Sequence, residues 1–324
     1  MKQIIILIPH SAKTGGPEAL HQLSDSLIRQ GHDARIWYVI PSDRHVLQEL
    51  FQNNGLLPNT GLSLTPRPNT VPDYDKYQTR LAEQIVLNSD TCIVFPETYV
   101  DWLPFFQHCK AVVWWLSVDN ALGYMAVKQL NLNLLRFNRV LHAYQSSYAA
   151  AFISALGCKR MLPLSDYTPE NTDIGPFEKT DIALNANHKV LFDVGNIAAR
   201  LQRETGAKVH LIHDLTREQV YEVLGRSKLF IDLGNFPGKD RLAREALIRR
   251  CCVFVMDVGA ARDYLLPDEF YFEPDQVNQV FAAAQGVLER YPFYLDLCHQ
   301  ARQAVARERM VFEREVAGVA GWLA

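Results

Sequence analysis

No GxxxxGK[ST] segment occurs among the 324 residues, and no GxGxxG follows the first apolar run. The first absence excludes P-loop nucleotide hydrolysis, and the second argues against a dinucleotide-binding oxidoreductase. The ten histidines form no HExxH or other ligand pair, and no GxSxG elbow is present. Six cysteines (Cys92, Cys109, Cys158, Cys251, Cys252, Cys298) give no CxxC and no zinc spacing, which predicts buried, reduced thiols of a cytosolic protein. The vicinal Cys251-Cys252 opens the apolar run Cys-Cys-Val-Phe-Val, a core-packing position. Charge of one sign is also lacking. At a net −3, with no basic block interleaved with aromatics, nucleic acid is not an expected partner. No apolar run is long enough to span a bilayer. Met1 to Pro9 is apolar but short, and no small-residue cleavage site follows it. A buried first strand explains this better than a signal sequence, so the expected location is cytoplasmic.

What remains is a chain 48% hydrophobic and 21% charged, long enough for two domains. Strand-like and helix-like stretches alternate throughout. Met1–Pro9 is followed by Gly15-Gly16 and an amphipathic helix from Pro17 to about Gln30, with Gly31 at its end. Strands are predicted at Ala34–Ile40, Thr91–Pro96, Ala111–Val118, Arg139–Ala143 and Met161–Leu164. Polar residues and turn formers from Ser165 to His188 read as a linker. A second alternation follows, with strands at Lys189–Val194, Lys208–His213, Lys228–Leu233, Cys251–Met256 and Phe270–Phe272, and helical sequence from there to Ala324. The expected division is residues 1–165, a linker at 166–188, a second domain at 189–310, and a last helix at 311–324 returning toward the first domain.

The most telling stretch is Lys228 to Ala246. An apolar run ends in the turn Gly234-Asn235-Phe236-Pro237-Gly238, and a helical pattern begins at once. In open α/β sheets ligands bind at such strand ends. Lys239, Arg241 and Arg244 place three cations at the positive end of that helix, where a dipole disfavours them unless an anion sits on the free N–H groups. A diphosphate would be such an anion; solvation and pairing with Asp232, Asp240 and Glu245 is the alternative. Gly15-Gly16 is a second place where backbone could approach a ligand, or else a plain tight turn. Ser117-Val118-Asp119-Asn120 puts polar groups at another strand end, with Asp119 either facing a ligand or capping a helix before Ala121. Asp73-Tyr74-Asp75 has D-x-D spacing but sits in a Pro-rich loop beyond any strand end. Trp114-Trp115 fits sheet packing better than ligand stacking.

Gly15-Gly16, the helix after it and Gly31-His32-Asp33 resemble the amino-terminal domain of GT-B glycosyltransferases. Thr216–Gly225 with the following strand, then Glu245-Ala246-Leu247, Cys252–Val255 and Gly259, resemble their nucleotide-sugar domain. Gly238-Lys239-Asp240-Arg241 with Arg244-Glu245-Ala246 is similar to a variant loop in proteins of bacterial polysaccharide clusters. The resemblance implies an α/β, GT-B-like fold of two Rossmann-like domains facing a cleft. It implies a metal-independent hexosyltransferase-like enzyme of polysaccharide biosynthesis that uses a nucleoside-diphosphate sugar as donor substrate and needs no separate cofactor. A glycan or lipid-linked glycan would be the acceptor, with at most peripheral membrane association.

In the large retaining family of this fold two glutamates eight positions apart flank the donor loop. Glu245 matches the second, which holds the nucleotide ribose; the first, which contacts the donor sugar, is Pro237 here. The resemblance gives Gly15, Gly16, Gly238, Lys239, Arg241, Arg244 and Glu245 to donor binding and Asp119 to the acceptor side as a polar contact or base. Pro237 keeps open a non-catalytic nucleotide- or glycan-binding module on a degenerate GT-B frame. A sugar-nucleotide epimerase shares the fold, but no matching motif is present.

Overall fold

A computed structural model describes residues 2–54, 56–128, 131–169, 175, 177–187 and 192–323. The chain divides into two compact units, Met1–Asp166 with Met310–Ala324, and Tyr167–Arg309.

In the first unit the elements run β1 (Gln3–Pro9), α1 (Gly15–Arg29), β2 (Asp33–Val39), α2 (Pro41–Asn54), the hairpin β3 (Gly61–Ser63) and β4 (Gln84–Val86), β5 (Thr91–Pro96), β6 (Lys110–Trp115), α3 (Val118–Lys128), β7 (Val140–Tyr144), α4 (Ser147–Ala155) and β8 (Met161–Pro163). Six strands form one sheet in the order β2-β1-β5-β6-β7-β8, with every pairing parallel. Burial on both faces explains why β1 and β5 read as unbroken apolar runs. Leu20, Leu23 and Leu27 of α1 are buried, and Gly31 leaves the helix at φ +87°. At the outer edge of β2, Ile36 donates its N–H to Arg80 O and accepts from Ala82 N, so the 80–82 segment shields that edge.

The second unit contains β9 (Asp181–Asn185), α5 (Val194–Thr205), β10 (Val209–Ile212), α6 (Arg217–Arg226), β11 (Ser227–Asp232), α7 (Arg241–Ile248), β12 (Cys252–Met256), β13 (Tyr271–Phe272), α8 (Gln279–Glu289), α9 (Tyr291–Leu297) and α10 (His299–Ala306). Its sheet, β10-β9-β11-β12-β13, is again wholly parallel. A Thr216–Gln219 capping box starts α6, and Gly206 ends α5 at φ +71°. The last helix, α11 (Glu308–Leu323), begins within this unit and continues among residues grouped with the first. In the first unit, its Glu313 accepts hydrogen bonds from Ser26, Arg29 and Gln30 of or beside α1.

Three sequence expectations are corrected. Asp181–Asn185, read as part of the linker, is β9, a central strand between β10 and β11. Lys179 ties the segment down, its ammonium donating to Leu224 O at 2.8 Å and Ser227 O at 2.7 Å. Only three apolar residues lie between Asp181 and Asn185, and turn formers surround them, which hid the strand. The strand expected at Lys189–Val194 lies mostly outside the described residues, and Val194 itself opens α5. Val118, expected to end a strand, instead begins α3.

Candidate functional site

Both sheets reverse their strand order beside the first strand of the unit, at β1/β5 and at β9/β11. The crevice outside the carboxyl ends of such a pair is where this topology binds ligands.

At the second unit's reversal, Asn185 ends β9 and Asp232 ends β11, and the Asn185 amide donates to Asp232 Oδ2 at 2.9 Å. Asp232 Oδ1 accepts from Gly234 N at 3.1 Å, which fixes the exit of the chain into the loop before α7. That loop rests on Gly259. A Cβ there would stand 2.1 Å from Phe236 O at a φ of +57°, while Ala260 N donates to the same oxygen at 2.8 Å. Pro237 and Gly238 are buried; Lys239, Arg241 and Glu245 are half-buried. The side chain of Asp240 makes no cap on α7.

The three cations do not behave alike. Arg244 is fully buried. Its Nη1 donates to Glu308 Oε2 at 3.0 Å, Nη2 to Lys239 O at 2.8 Å and Nε to Asp240 O at 3.2 Å. Lys239 Nζ lies 3.0 Å from Glu308 Oε1. Glu308, itself buried, also accepts from Thr168 N at 2.9 Å and Thr168 Oγ1 at 3.0 Å. An acid outside the set Asp232, Asp240 and Glu245 thus pairs with two of the cations. Glu308 stands at the start of α11, 64 residues beyond Arg244. Arg244, expected to face a diphosphate, is fully buried and ties the loop to α11. Lys239 forms an ion pair with the same carboxylate.

At the first unit's reversal, Gly15 and Gly16 form the first turn of α1. Neither has a positive φ. A Cβ on Gly15 would meet nothing within 4 Å, and one on Gly16 only Leu116 Cδ1 at an ordinary 3.8 Å. Their own chain does not require glycine at either position. Across the reversal, Glu97 follows β5. It is buried and accepts from Leu116 N at 3.1 Å. Burial pushes its carboxyl up to about 7 despite the backbone N–H groups of Leu116, Glu97 and Ser117, which pull the other way. The adjacent Ser117 Oγ is buried without a hydrogen-bond partner. Sequence reasoning passed over Glu97, although the rule that polar residues at strand ends face the crevice would have found it. Asp119 is exposed in the first turn of α3 and accepts from Tyr148 OH at 2.9 Å, while the backbone N–H of Ala121 goes to Ser117 O.

No protein-family model matches the chain, and no curated protein matches it by sequence. Solved structures do. The chain is similar to the pneumococcal O-GlcNAc transferase GtfA in complex with UDP and GlcNAc, at a TM-score of 0.68 and 9% identity, covering 99% of both chains. It is similar to a sucrose-phosphate synthase from Thermosynechococcus elongatus at 0.64 and 12%, again covering 99% of both. Anabaena HepE in complex with UDP follows at 0.59 and 10%, with 98% of this chain and 99% of that one covered. The chain has the GT-B fold.

Within that GT-B frame the remaining expected residues are placed as follows. Asp73 pairs with Lys13 at 3.1 Å, and Asp75 accepts from Asn69 at 2.7 Å. No group of three or more potential metal ligands occurs among the described residues. Tyr74, between them, donates to Thr14 O at 3.0 Å and so fastens the loop ahead of α1. Trp114 and Trp115 are core residues, with indole N–H groups on Leu164 O at 2.8 Å and on His142 Nδ1 at 3.0 Å. All six cysteines are free and buried. Among the described residues, no helix is long and apolar enough to cross a membrane.

Proposed function

We propose that this chain is a glycosyltransferase that takes a nucleoside-diphosphate sugar as donor and passes the glycosyl group to a hydroxyl of a glycan acceptor. The observation that carries the reading is the cation-bearing loop at the β9/β11 strand ends, on a fold alike over its whole length to proteins solved with UDP. Departure of the nucleoside diphosphate develops negative charge, which fixed cations and N–H groups can stabilise without a metal. Arg241, Lys239 and the backbone from Gly238 into α7 take that task in this proposal, and Glu245 orients the nucleotide. Arg244 keeps the loop in place and does not itself meet the ligand. In the first unit, Gly15 and Gly16 keep an open backbone surface for the ligand, and Asp119 or Glu97 serves the acceptor side. A lipid-linked glycan is one such acceptor, and the cytoplasm, where nucleotide sugars are made, is the matching location.

Calorimetry with UDP, ADP and GDP tests the donor site. Arg241→Ala should weaken binding by about 1.5–3 kcal/mol, the range of a hydrogen bond to a charged group, and leave the fold intact. Donor hydrolysis should persist in excess EDTA. Failure of every nucleoside diphosphate to bind, or equal binding by wild type, Arg241→Ala and Lys239→Ala, would refute the site. Pro237, buried where the retaining family places a glutamate, favours a second reading, a module that binds the nucleotide without turnover. Nucleotide binding with no hydrolysis or transfer from any donor would select it.

A further inference from the structure

The carboxylate of Glu308 uses its two oxygens unequally. Oε2 accepts three hydrogen bonds, from Arg244 Nη1 at 3.0 Å, Thr168 N at 2.9 Å and Thr168 Oγ1 at 3.0 Å. Oε1 is buried and accepts none among the described residues, although Lys239 Nζ stands 3.0 Å away. Distance alone does not make a hydrogen bond; the N–H has to point at the oxygen. Glu308 therefore holds Lys239 by charge, without the directional bond that fixes Arg244. Buried carboxylate oxygens are nearly always hydrogen-bonded, and an exception in a native fold needs a physical account.

The two cations also differ in what departure from Glu308 would break. Arg244 is 0% exposed and donates to Glu308, Lys239 O and Asp240 O, so moving it undoes three hydrogen bonds of the loop. The Lys239 side chain is 16% exposed and carries its charge on a flexible four-carbon stem. When its ammonium leaves, Oε2 keeps all three of its hydrogen bonds. Lys239 also belongs to the loop that follows β11 and leads into α7. A diphosphate bound at that loop would compete with Glu308 for the same ammonium, and its oxygens could take the directed N–H bonds that Oε1 does not.

We propose that Glu308 is a latch on the donor loop. It holds Lys239 while the loop is empty and yields the ammonium to the diphosphate of an incoming nucleotide, with Arg244 left in place. The inference rests on the donor role given to this loop under the proposed function. Within that role Glu308 acts through Lys239 as a positioning residue. It lowers nucleotide affinity, because binding has to overcome its attraction for Lys239.

Replacing Glu308 also weakens the hold on Arg244, so a double-mutant cycle is needed to separate the latch from the support of the loop. UDP, ADP and GDP are titrated calorimetrically into the wild type, Lys239→Ala, Glu308→Gln and the double variant. A general loosening of the loop enters both Glu308→Gln arms and cancels. The affinity lost on Lys239→Ala should be about three- to ten-fold greater in the Glu308→Gln background than in the wild-type one, since Lys239 there has no carboxylate to leave. An equal or smaller loss in that background overturns the latch and leaves the donor site standing. Failure of all three nucleotides to bind the wild type overturns the donor reading and the latch with it. If Glu308→Gln does not fold, a crystal structure of the wild type with the tightest of the three decides. Lys239 Nζ on a phosphate oxygen, and beyond the roughly 4 Å limit of an ion pair from Glu308 Oε1, supports the latch. Lys239 still 3.0 Å from that oxygen overturns it.

Discussion

Replacing Glu308 by Gln removes a carboxylate on which Lys239 and Arg244 converge. The Arg244 side chain is 0% exposed and that of Glu308 5%, so water screens the pair very little. Removing one partner of a buried ion pair costs about 3–5 kcal/mol, because the other charge stays buried without compensation. The glutamine keeps an amide oxygen for Thr168 N and Oγ1, and Arg244 keeps Lys239 O and Asp240 O, so the lower end, about 3 kcal/mol, is expected. Urea unfolding followed by far-ultraviolet circular dichroism measures it through the midpoint and slope. The five tryptophans (37, 102, 114, 115 and 322) all lie in the first unit, so their fluorescence reports that unit separately. The dichroism transition should move to lower urea and the fluorescence transition should stay. A loss below about 1 kcal/mol for Glu308→Gln would show that the cluster does not hold the loop and would return Lys239 and Arg244 to the solvent.

Other outcomes follow from single positions. Glu97 has its carboxyl raised to about 7 from the usual 4.5, so the folded state holds a proton that the unfolded state has released between those values. Stability should therefore fall as pH rises from about 4.5 through 7, by an amount on the order of 3 kcal/mol, and Glu97→Gln should flatten that slope in urea titrations at stepped pH. Gly259→Ala forces a Cβ to within 2.1 Å of Phe236 O and should cost at least about 2 kcal/mol, read as a lowered urea midpoint. Gly16→Ala adds a methyl that meets only Leu116, so the midpoint should hold while nucleoside-diphosphate or acceptor binding weakens; unchanged binding would reduce the glycine pair to a helix start.

The sequence made the α/β character legible because each buried parallel strand is an unbroken apolar run and each helix shows its own period. Thr91–Pro96 was bounded to the residue, and Lys228–Leu233 to within one. β9 escaped because a five-residue strand with charged and amide ends has too little apolar length to stand out from its polar surroundings. At the candidate site the loop before α7 stands out for its glycines and cations, but the burial of Arg244 against Glu308 does not. Arg244 meets Glu308 64 residues further on, and no local pattern links positions so far apart. Glu97 was within reach of the strand-end rule applied to Asp119; what the sequence could not show is its burial, which raises its carboxyl.

The ends of the two sheets bear on how the protein behaves in concentrated solution. A long bare strand edge is a template on which other chains can add, and natural sheets avoid presenting one. Among the described residues, the first sheet ends on one side at β8, three residues closing with Pro163, and on the other at β2, where the backbone of 80–82 already occupies Ile36. The second ends at the four residues of β10 and the two of β13. None of these offers the six or seven contiguous open positions on which a cross-β stack is built. Self-association of this chain, where it occurs, will therefore run through side-chain surfaces such as the apolar exterior of α2, and it should be reversible by mild non-ionic detergent.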